Sequence, residues 1–175
     1  MRMTMDEVSI REFRLEDVEN KVRWINDPEV NRYLHYEIPL SVEKTRAWFF
    51  RKDNESRRDC VIEYRDRPVG LIGLLAIDMV NQKAEYYISI GEPACFGRGI
   101  GTTASRLILQ YGFQELGLNK IYLNVDADNE AACRMYDKLG FVREGLFRRE
   151  LLRRGSLIDR VHYAIFNPDK NEGSL

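Results

Sequence analysis

Three glycines within five residues stand between a strand pattern and a helix pattern, and they constrain the fold more than any other feature of the chain. The glycines are Gly97, Gly99 and Gly101. Residues 84–90 before them alternate as a strand does, and apolar residues recur at helical spacing over 100–111. Glycines let successive backbone N–H groups converge, and the start of a helix carries partial positive charge. The segment therefore predicts a phosphate-binding turn, with a tight turn that binds nothing as the alternative.

Two familiar phosphate motifs do not fit this turn. A dinucleotide-binding fingerprint has a third glycine where this chain has Thr102, and it belongs to a sheet of parallel strands. A P-loop requires Gly-Lys-Ser or Gly-Lys-Thr, which the sequence lacks. The glycines alone therefore leave the ligand undefined.

The order of the predicted elements indicates an α/β fold with a mixed sheet. Strands are expected at residues 8–13, 60–64, 69–77, 84–90, 120–125, 141–151 and 157–166. Helices are expected at residues 15–25, 41–49, 100–111 and 129–139. Consecutive strands without a helix pair antiparallel, whereas the strand–helix–strand unit over 84–125 indicates one parallel pair. We expect a mostly antiparallel sheet flanked by helices, in a single domain over 1–167 with a flexible tail at 168–175.

Composition excludes several classes of protein. The 175 residues are 44% hydrophobic, which is enough for a buried core, and no apolar run is long enough to cross a membrane. A net charge of −1 gives no general attraction to nucleic acid or to an anionic membrane. The N-terminus lacks an apolar signal region and the three cysteines are far apart, so we expect a cytoplasmic protein with reduced thiols. There is no Cys-x-x-Cys pair and there are two histidines, so we expect no metal site.

A second motif follows the glycine turn, one helix and one further strand. It has the form Asn-x-x-Ala-x-x-x-Tyr-x-Lys-x-Gly-Phe over residues 129–141. Together the two motifs resemble the GNAT superfamily of N-acetyltransferases, whose coenzyme loop is written Gln/Arg-x-x-Gly-x-Gly/Ala. The resemblance extends over residues 8–166. It implies the GNAT fold, in which one pair of parallel strands splays apart, and it implies acetyl-CoA as the co-substrate.

The resemblance places the coenzyme against three segments. Main-chain amides of the glycine turn hold the pyrophosphate, the end of the preceding strand holds the pantetheine arm, and the helix that begins at Asn129 completes the site. The implied cofactor-binding residues are Ile88, Ser89, Ile90, Phe96, Gly97, Arg98, Gly99, Ile100, Gly101, Thr102, Asn129, Ala132 and Lys138. The Gln/Arg position of the loop falls on Phe96, so we expect one side-chain hydrogen bond to be lost while main-chain binding survives.

The resemblance also implies direct attack of a primary amine on the acetyl thioester. Tyr136 is the candidate that protonates the leaving thiolate, and simple packing in the core is the alternative interpretation. Glu85 is the candidate base, acting directly or through water, and a solvated strand glutamate is the alternative. Cys133 has no histidine near it in the sequence, so we expect no acyl-enzyme.

The acceptor is the least defined part of the prediction. Tyr33, His35 and Tyr36 lie between the first two helices, where the family builds part of its acceptor pocket. Residues 23–30 resemble the branch that contains ribosomal-protein N-terminal, spermidine and nucleotide-aminosugar acetyltransferases, so a small amine, an aminosugar and a peptide N-terminus all fit. An arginine excess over 143–160 indicates either an acidic acceptor or a salt-bridged hairpin. A homodimer is compatible with the resemblance, and a non-catalytic acyl-CoA-binding sensor is the alternative function.

Overall fold

The computed structural model describes residues 1–170, so residues 171–175 of the expected tail lie outside the described part. The strands are β1 (Arg2–Met5), β2 (Val8–Glu12), β3 (Arg58–Tyr64), β4 (Arg67–Asp78), β5 (Lys83–Ile90), β6 (Lys120–Asp126), β7 (Val142–Arg153) and β8 (Ser156–Phe166). The α-helices are α1 (Val18–Asn26), α2 (Val42–Arg51), α3 (Ile100–Gln110) and α4 (Glu130–Leu139). Residues 168–170 form a turn, and Lys170 Nζ donates to Gln82 Oε1 at 2.7 Å.

The strands form one eight-stranded sheet in the order β1-β2-β3-β4-β5-β6-β8-β7. Neighbouring strands are antiparallel except β5 and β6, which are parallel. Helix α3 lies in the crossover between these two strands, as a connection between parallel neighbours requires. The predicted α/β fold with a mixed, mostly antiparallel sheet is therefore confirmed.

The parallel pair separates soon after it begins. Its ladder covers only Lys83–Glu85 opposite Lys120–Tyr122. Beyond this point β5 stays paired with β4 as far as Ile90, and β6 stays paired with β8 as far as Asp126. Each of the two strands stays with its antiparallel neighbour. Within residues 1–170, the backbone edges of β5 and β6 that face each other across the gap therefore have no strand partner. The sheet thus contains the splayed strand pair that the resemblance implies.

Helices cover the two faces of the sheet, because alternate residues of a strand point to opposite sides. Helices α3 and α4 contribute to the larger core, where Leu107 and Ile108 lie in one cluster with Ile121. Helices α1 and α2 contribute to a second core, in which Trp24 lies in one cluster with Leu71. The gap between β5 and β6 therefore opens between two helical layers.

The sequence predicts the helix ends well, because capping is local. At the start of α2 the Ser41 hydroxyl accepts a hydrogen bond from Lys44 N–H at 3.1 Å. Gly140 follows α4 in the left-handed conformation at φ 91°. Within residues 1–170, no helix combines the length and the apolar character needed to cross a membrane.

The sequence pattern does not predict three features of the fold. Strand β1 pairs with β2 at the edge of the sheet, although its four residues are too few to show a pattern. Strand β4 has a bulge near Ala76, at φ 46°, with a register shift between Leu75 and Asp78. The third helix ends in a π-helical turn over Tyr111–Glu115. Each feature depends on pairing or packing with distant residues.

Candidate active site

The glycine turn leaves the start of α3 without a cap. Gly97 and Gly99 adopt left-handed backbone at φ 70° and 77°, and a Cβ at either position would meet no atom within 4 Å. The N–H of Thr103 donates to the Gly99 carbonyl at 3.0 Å, and no side chain of residues 1–170 caps the helix. The N–H groups of residues 100–102 therefore have no acceptor within the helix and point out of its end. This arrangement has the form of the backbone anion site that the sequence predicts.

Helix α4 begins beside the same space but is capped. The Asn129 side chain accepts a hydrogen bond from Ala132 N–H at 3.3 Å, so one N–H at the start of α4 already has a partner. The structure thus shows Asn129 as a helix cap, while its contact with a pantetheine arm stays a prediction. Among residues 1–170, the first N–H groups of α3 thus have no side-chain acceptor, whereas those of α4 have the Asn129 side chain.

A cleft of about 680 Å³ opens between the end of β5, the glycine turn, α4 and the loop after α1. All the residues predicted to bind the cofactor line it: Ile88, Ser89, Ile90, Phe96, Gly97, Arg98, Gly99, Ile100, Gly101, Thr102, Asn129, Ala132 and Lys138. Further lining residues that the sequence does not single out are Glu29, Val30, Arg32, Leu34, Cys95, Ala131 and Met135. The fold therefore gathers three distant segments around one space, as the two motifs lead us to expect.

Two arginines of the cleft already have partners in the protein. Arg98 donates to the Tyr64 hydroxyl at 3.1 Å, and Arg134 forms an ion pair with Glu130 at 3.1 Å. Phe96 is 45% exposed in the same cleft and offers no hydrogen-bond donor from its side chain. An anion beside the glycine turn would therefore meet the main-chain N–H groups at the start of α3, while Arg32 and Lys138 are the other cationic side chains of the cleft.

Tyr136 lies in the core behind the cleft. Its side chain is 7% exposed, and its ring packs against Tyr86 and Phe141 at centroid distances of 5.9 and 5.6 Å. It does not line the cleft, although Ala132 and Met135 of the same helix do. Burial raises the pKa of the Tyr136 phenol far above its ordinary value. The phenol therefore stays protonated at neutral pH.

The Tyr136 hydroxyl keeps a path to solvent. Within residues 1–170 the Tyr136 hydroxyl forms no hydrogen bond. Arg160 Nε is the one fully buried side-chain polar atom in this part of the chain that lacks a hydrogen-bond partner, so the Tyr136 hydroxyl is not fully buried. A hydroxyl without a protein partner that is not fully buried must touch the accessible surface. Its O–H is therefore a donor without a hydrogen-bond partner in the described part of the chain.

The cysteines do not offer a nucleophile. All three are free thiols and buried. Burial raises the pKa of Cys133, which lies one turn before Tyr136, and so keeps its thiol in the less reactive protonated form. The environment of Cys133 agrees with the expectation that no acyl-enzyme forms.

A second cavity of about 400 Å³ adjoins the cleft. It lies between the loop after α1 and the turn from β7 to β8, and Arg32 and Leu34 line both spaces. The structure divides the three predicted acceptor residues between the two spaces. Tyr33 lines the cleft, whereas His35 and Tyr36 line the second cavity.

Asp126 joins the walls of the second cavity, although no local pattern in the sequence marks it. It ends β6, is 2% exposed, and lies 2.9 Å from His35 Nε2 through Oδ1. Its carboxylate also forms ion pairs with Arg153 and, at 3.4 Å, with Arg160 Nε. One carboxylate therefore ties the loop after α1, the splayed strand β6 and the last hairpin together. In the sequence, Asp126 could be found only from its place three residues before Asn129 of the second motif.

Glu85 lies at the closed end of the gap between β5 and β6. It is the last β5 residue paired with β6, opposite Tyr122. Its side chain points to the opposite face of the sheet from that of its neighbour Tyr86, whose ring contacts Tyr136. Glu85 lines neither the cleft nor the second cavity. The structure thus puts Glu85 and Tyr136, the two predicted catalytic side chains, on opposite faces of the sheet. The roles of both stay predictions.

Comparison with known proteins identifies the family. Residues 7–142 match the acetyltransferase (GNAT) domain. The spermidine N(1)-acetyltransferase of Escherichia coli (strain K12) is 34% identical over 161 residues, which cover 91% of this chain and 86% of that protein. A crystal structure of spermidine N-acetyltransferase from Vibrio cholerae in complex with CoA and spermine has a TM-score of 0.86 and 26% identity, covering 93% of this chain and 97% of that one. A dodecameric structure of the Vibrio cholerae enzyme has a TM-score of 0.81, with 26% identity, and covers 93% of this chain and 95% of that one.

The chain belongs to the GNAT family, and it is an acetyl-CoA-dependent N-acetyltransferase. Its residues fit that acyl donor. The uncapped start of α3 and the open space beside Gly97 and Gly99 offer donors for a diphosphate, and the unpaired edge of β5 offers a surface for an extended arm. The homodimer expected from the resemblance stays a prediction.

Proposed function

We propose that this protein transfers the acetyl group of acetyl-CoA to a primary amine, which attacks the thioester directly while both substrates are bound. One observation carries the proposal. The uncapped helix start at residues 99–103 and the unpaired edge of β5 face the same cleft, and a second cavity adjoins that cleft and shares Arg32 and Leu34 with it. A donor and an acceptor can therefore occupy adjoining spaces, and such proximity accelerates a reaction between them.

The cleft holds the acyl donor in this proposal. The main-chain N–H groups of residues 100–102 bind the pyrophosphate, since they have no acceptor within the helix. The residues Ile88–Ile90 bind the pantetheine arm along the strand edge that has no partner. The Asn129 amide is well placed to contact that arm, because its side chain both caps α4 and lines the cleft.

Tyr136 acts as the acid in the proposed reaction. The amine nitrogen forms a bond to the acetyl carbon, the carbon–sulfur bond breaks, and the phenol gives a proton to the departing sulfur. The proton that the nitrogen loses as it becomes an amide restores the phenol, so the protons balance over the turnover. A phenol is protonated at neutral pH, so its proton is available when the sulfur departs. A main-chain N–H near the end of β5 meets the negative charge that develops on the acetyl oxygen.

Glu85 accepts the proton of the amine through water. An amine of pKa near 10 is mostly protonated at neutral pH and must lose a proton before it attacks. Because Glu85 lines neither cavity, a water molecule in the gap has to connect it to the acceptor. What supports this role is the position of Glu85 at the closed end of the gap, where β5 and β6 begin to separate.

An acetylation screen tests the proposed function. The purified chain is incubated with acetyl-CoA and a panel of polyamines, aminosugars, amino acids and short peptides, and release of the CoA thiol is recorded. We expect thiol release that depends on the amine and a product that carries one acetyl group by mass spectrometry. Tight binding of acetyl-CoA without transfer to any of these amines would instead indicate an acyl-CoA sensor.

A further inference from the structure

The second cavity carries an excess of positive charge. The residues that line it are Asn31, Arg32, Leu34, His35, Tyr36, Glu37, Ile38, Leu151, Leu152, Arg153 and Arg154. These include three arginines and a single carboxylate, that of Glu37. A ligand in this cavity therefore meets guanidinium groups on two sides, from the loop after α1 and from the turn between β7 and β8.

Two of these arginines have no carboxylate partner. Among residues 1–170, the contacts of Arg154 include a hydrogen bond of 3.3 Å to Asn31 Oδ1 but no ion pair. In the same part of the chain, the Arg32 guanidinium lies 5.3 Å from the centre of the Tyr33 ring and forms no ion pair. Both guanidinium groups thus keep donors free for a ligand that enters the cavity.

The buried acid beside the cavity is already neutralised. Asp126 contacts His35, Arg153 and Arg160, and Arg153 also forms an ion pair with Asp128 at 2.6 Å. Asp126 therefore has little negative charge left to attract a second ammonium group. Because Arg153 and Arg160 are paired with this acid, Arg32 and Arg154 carry the positive charge that is free to meet a ligand.

We propose that the acceptor of this enzyme is a small amine that also bears a carboxylate or phosphate group, and that Arg154 and Arg32 bind this anionic group. The inference rests on the proposed acetyl transfer for the role of the amine. A guanidinium group binds a carboxylate or a phosphate through two parallel hydrogen bonds, which both strengthens and orients the contact. Because Arg32 lines both spaces, an anion that binds it leaves the rest of the acceptor near the mouth of the cleft.

The same charges disfavour a polyamine. Spermidine and spermine carry several ammonium groups, and each additional one would meet like charge in this cavity. The relatives named as spermidine acetyltransferases share about a third of their residues with this chain, which leaves room for a different acceptor pocket. We therefore expect this chain to have a different acceptor preference from those enzymes.

Matched amines test the inference. Initial rates of thiol release are compared between γ-aminobutyrate and putrescine, and between phosphoethanolamine and ethanolamine, so that carboxylate and phosphate are probed separately. We expect the anionic member of at least one pair to have a kcat/KM about tenfold or more above its partner, as a charged hydrogen bond of ordinary strength gives. Arg154→Gln should remove this preference, while Arg148→Gln, an exposed arginine on β7 outside both cavities, should keep it.

Calorimetry with the enzyme saturated with CoA separates this inference from the proposed function. The anionic amine could bind in a way that depends on Arg154 although no amine releases thiol. That result would support the anion site and contradict the proposed acetyl transfer. Preference for putrescine or spermidine would overturn the inference. Equal behaviour of Arg154→Gln and Arg148→Gln in both rate and binding would overturn it as well.

Discussion

His35 Nε2 lies 2.9 Å from Oδ1 of Asp126, and this contact joins the loop after α1 to the end of the splayed strand β6. The two residues are 91 positions apart in the sequence. Asp126 is almost fully buried, whereas His35 lies in the second cavity. The contact therefore fixes one wall of the proposed acceptor site relative to the gap in which we propose that the donor binds.

Loss of the His35 contact should weaken acceptor binding. His35→Gln removes the ring that touches Asp126, so we expect the KM of the best acceptor to rise about tenfold with little change in acetyl-CoA affinity. Steady-state kinetics with each substrate varied in turn measure both. The matched control is His162→Gln, whose ring lies 2.8 Å from Asn124 Oδ1 and lines neither cavity. An unchanged acceptor KM in His35→Gln would remove His35 from the acceptor site.

Tyr136→Phe should slow the reaction without weakening donor binding. The substitution removes the O–H that we propose protonates the sulfur but keeps the ring in the core, so we expect kcat to fall about a hundredfold. The control Tyr86→Phe loses a buried hydrogen bond to Ser105 of 2.7 Å, which lowers the unfolding free energy by about 1 kcal/mol but leaves kcat unchanged. Equal kcat in wild type and Tyr136→Phe would show that the phenol is only a packing group.

Glu85→Gln should have its largest effect at low pH. If Glu85 accepts the amine proton as proposed, the variant depends on the small fraction of amine that is already neutral, and this fraction grows as pH rises towards about 10. We expect kcat/KM to fall about a hundredfold near neutral pH and to approach the wild-type value in alkali. Glu12→Gln, at an exposed strand glutamate, is the control. A loss of the same size at every pH would argue against proton transfer.

Lys21 makes the stability of the fold depend on pH. Burial lowers the pKa of Lys21 to about 8, and its Nζ lies 3.5 Å from the centre of the Trp48 ring. An unfolded lysine titrates near 10.4, so between about pH 8 and 10 the unfolded chain holds more protons and the unfolding free energy rises with pH. Lys21→Met removes this contribution. In urea denaturation, the wild type should gain on the order of 2 kcal/mol relative to Lys21→Met between about pH 7 and 9.5. Parallel pH profiles would contradict the low pKa.

Local sequence signals account for the donor side of the site. Gly97 and Gly99 take the left-handed conformation that only glycine adopts freely, and Asn129 and Gly140 bound α4 as helix-capping rules require. A short motif fixes such features because each depends on its own neighbours. The residues that the family resemblance assigns to the cofactor all line one cleft, because β5, α3 and α4 pack around it.

Distant contacts determine the acceptor side, and the sequence predicts it poorly. Tyr33 and His35 are correctly placed in one loop, but their separation into two spaces depends on how that loop meets the last hairpin. Asp126 becomes important only because Arg153 and Arg160 fold onto it from β7 and β8. The arginine excess of the hairpin is visible in the sequence. Which arginines form ion pairs and which stay free is visible only in the fold.

The affinity of acetyl-CoA for Gly99→Asp tests most directly whether the amides at the start of α3 hold the diphosphate. Calorimetry compares it with the wild type and with Gly117→Asp, a control at a left-handed glycine that likewise has no neighbour within 4 Å but lies outside the cleft. We predict that Gly99→Asp binds at least about tenfold more weakly, because its carboxylate repels the phosphates, while Gly117→Asp binds as the wild type does. Equal affinity in all three proteins would contradict the account.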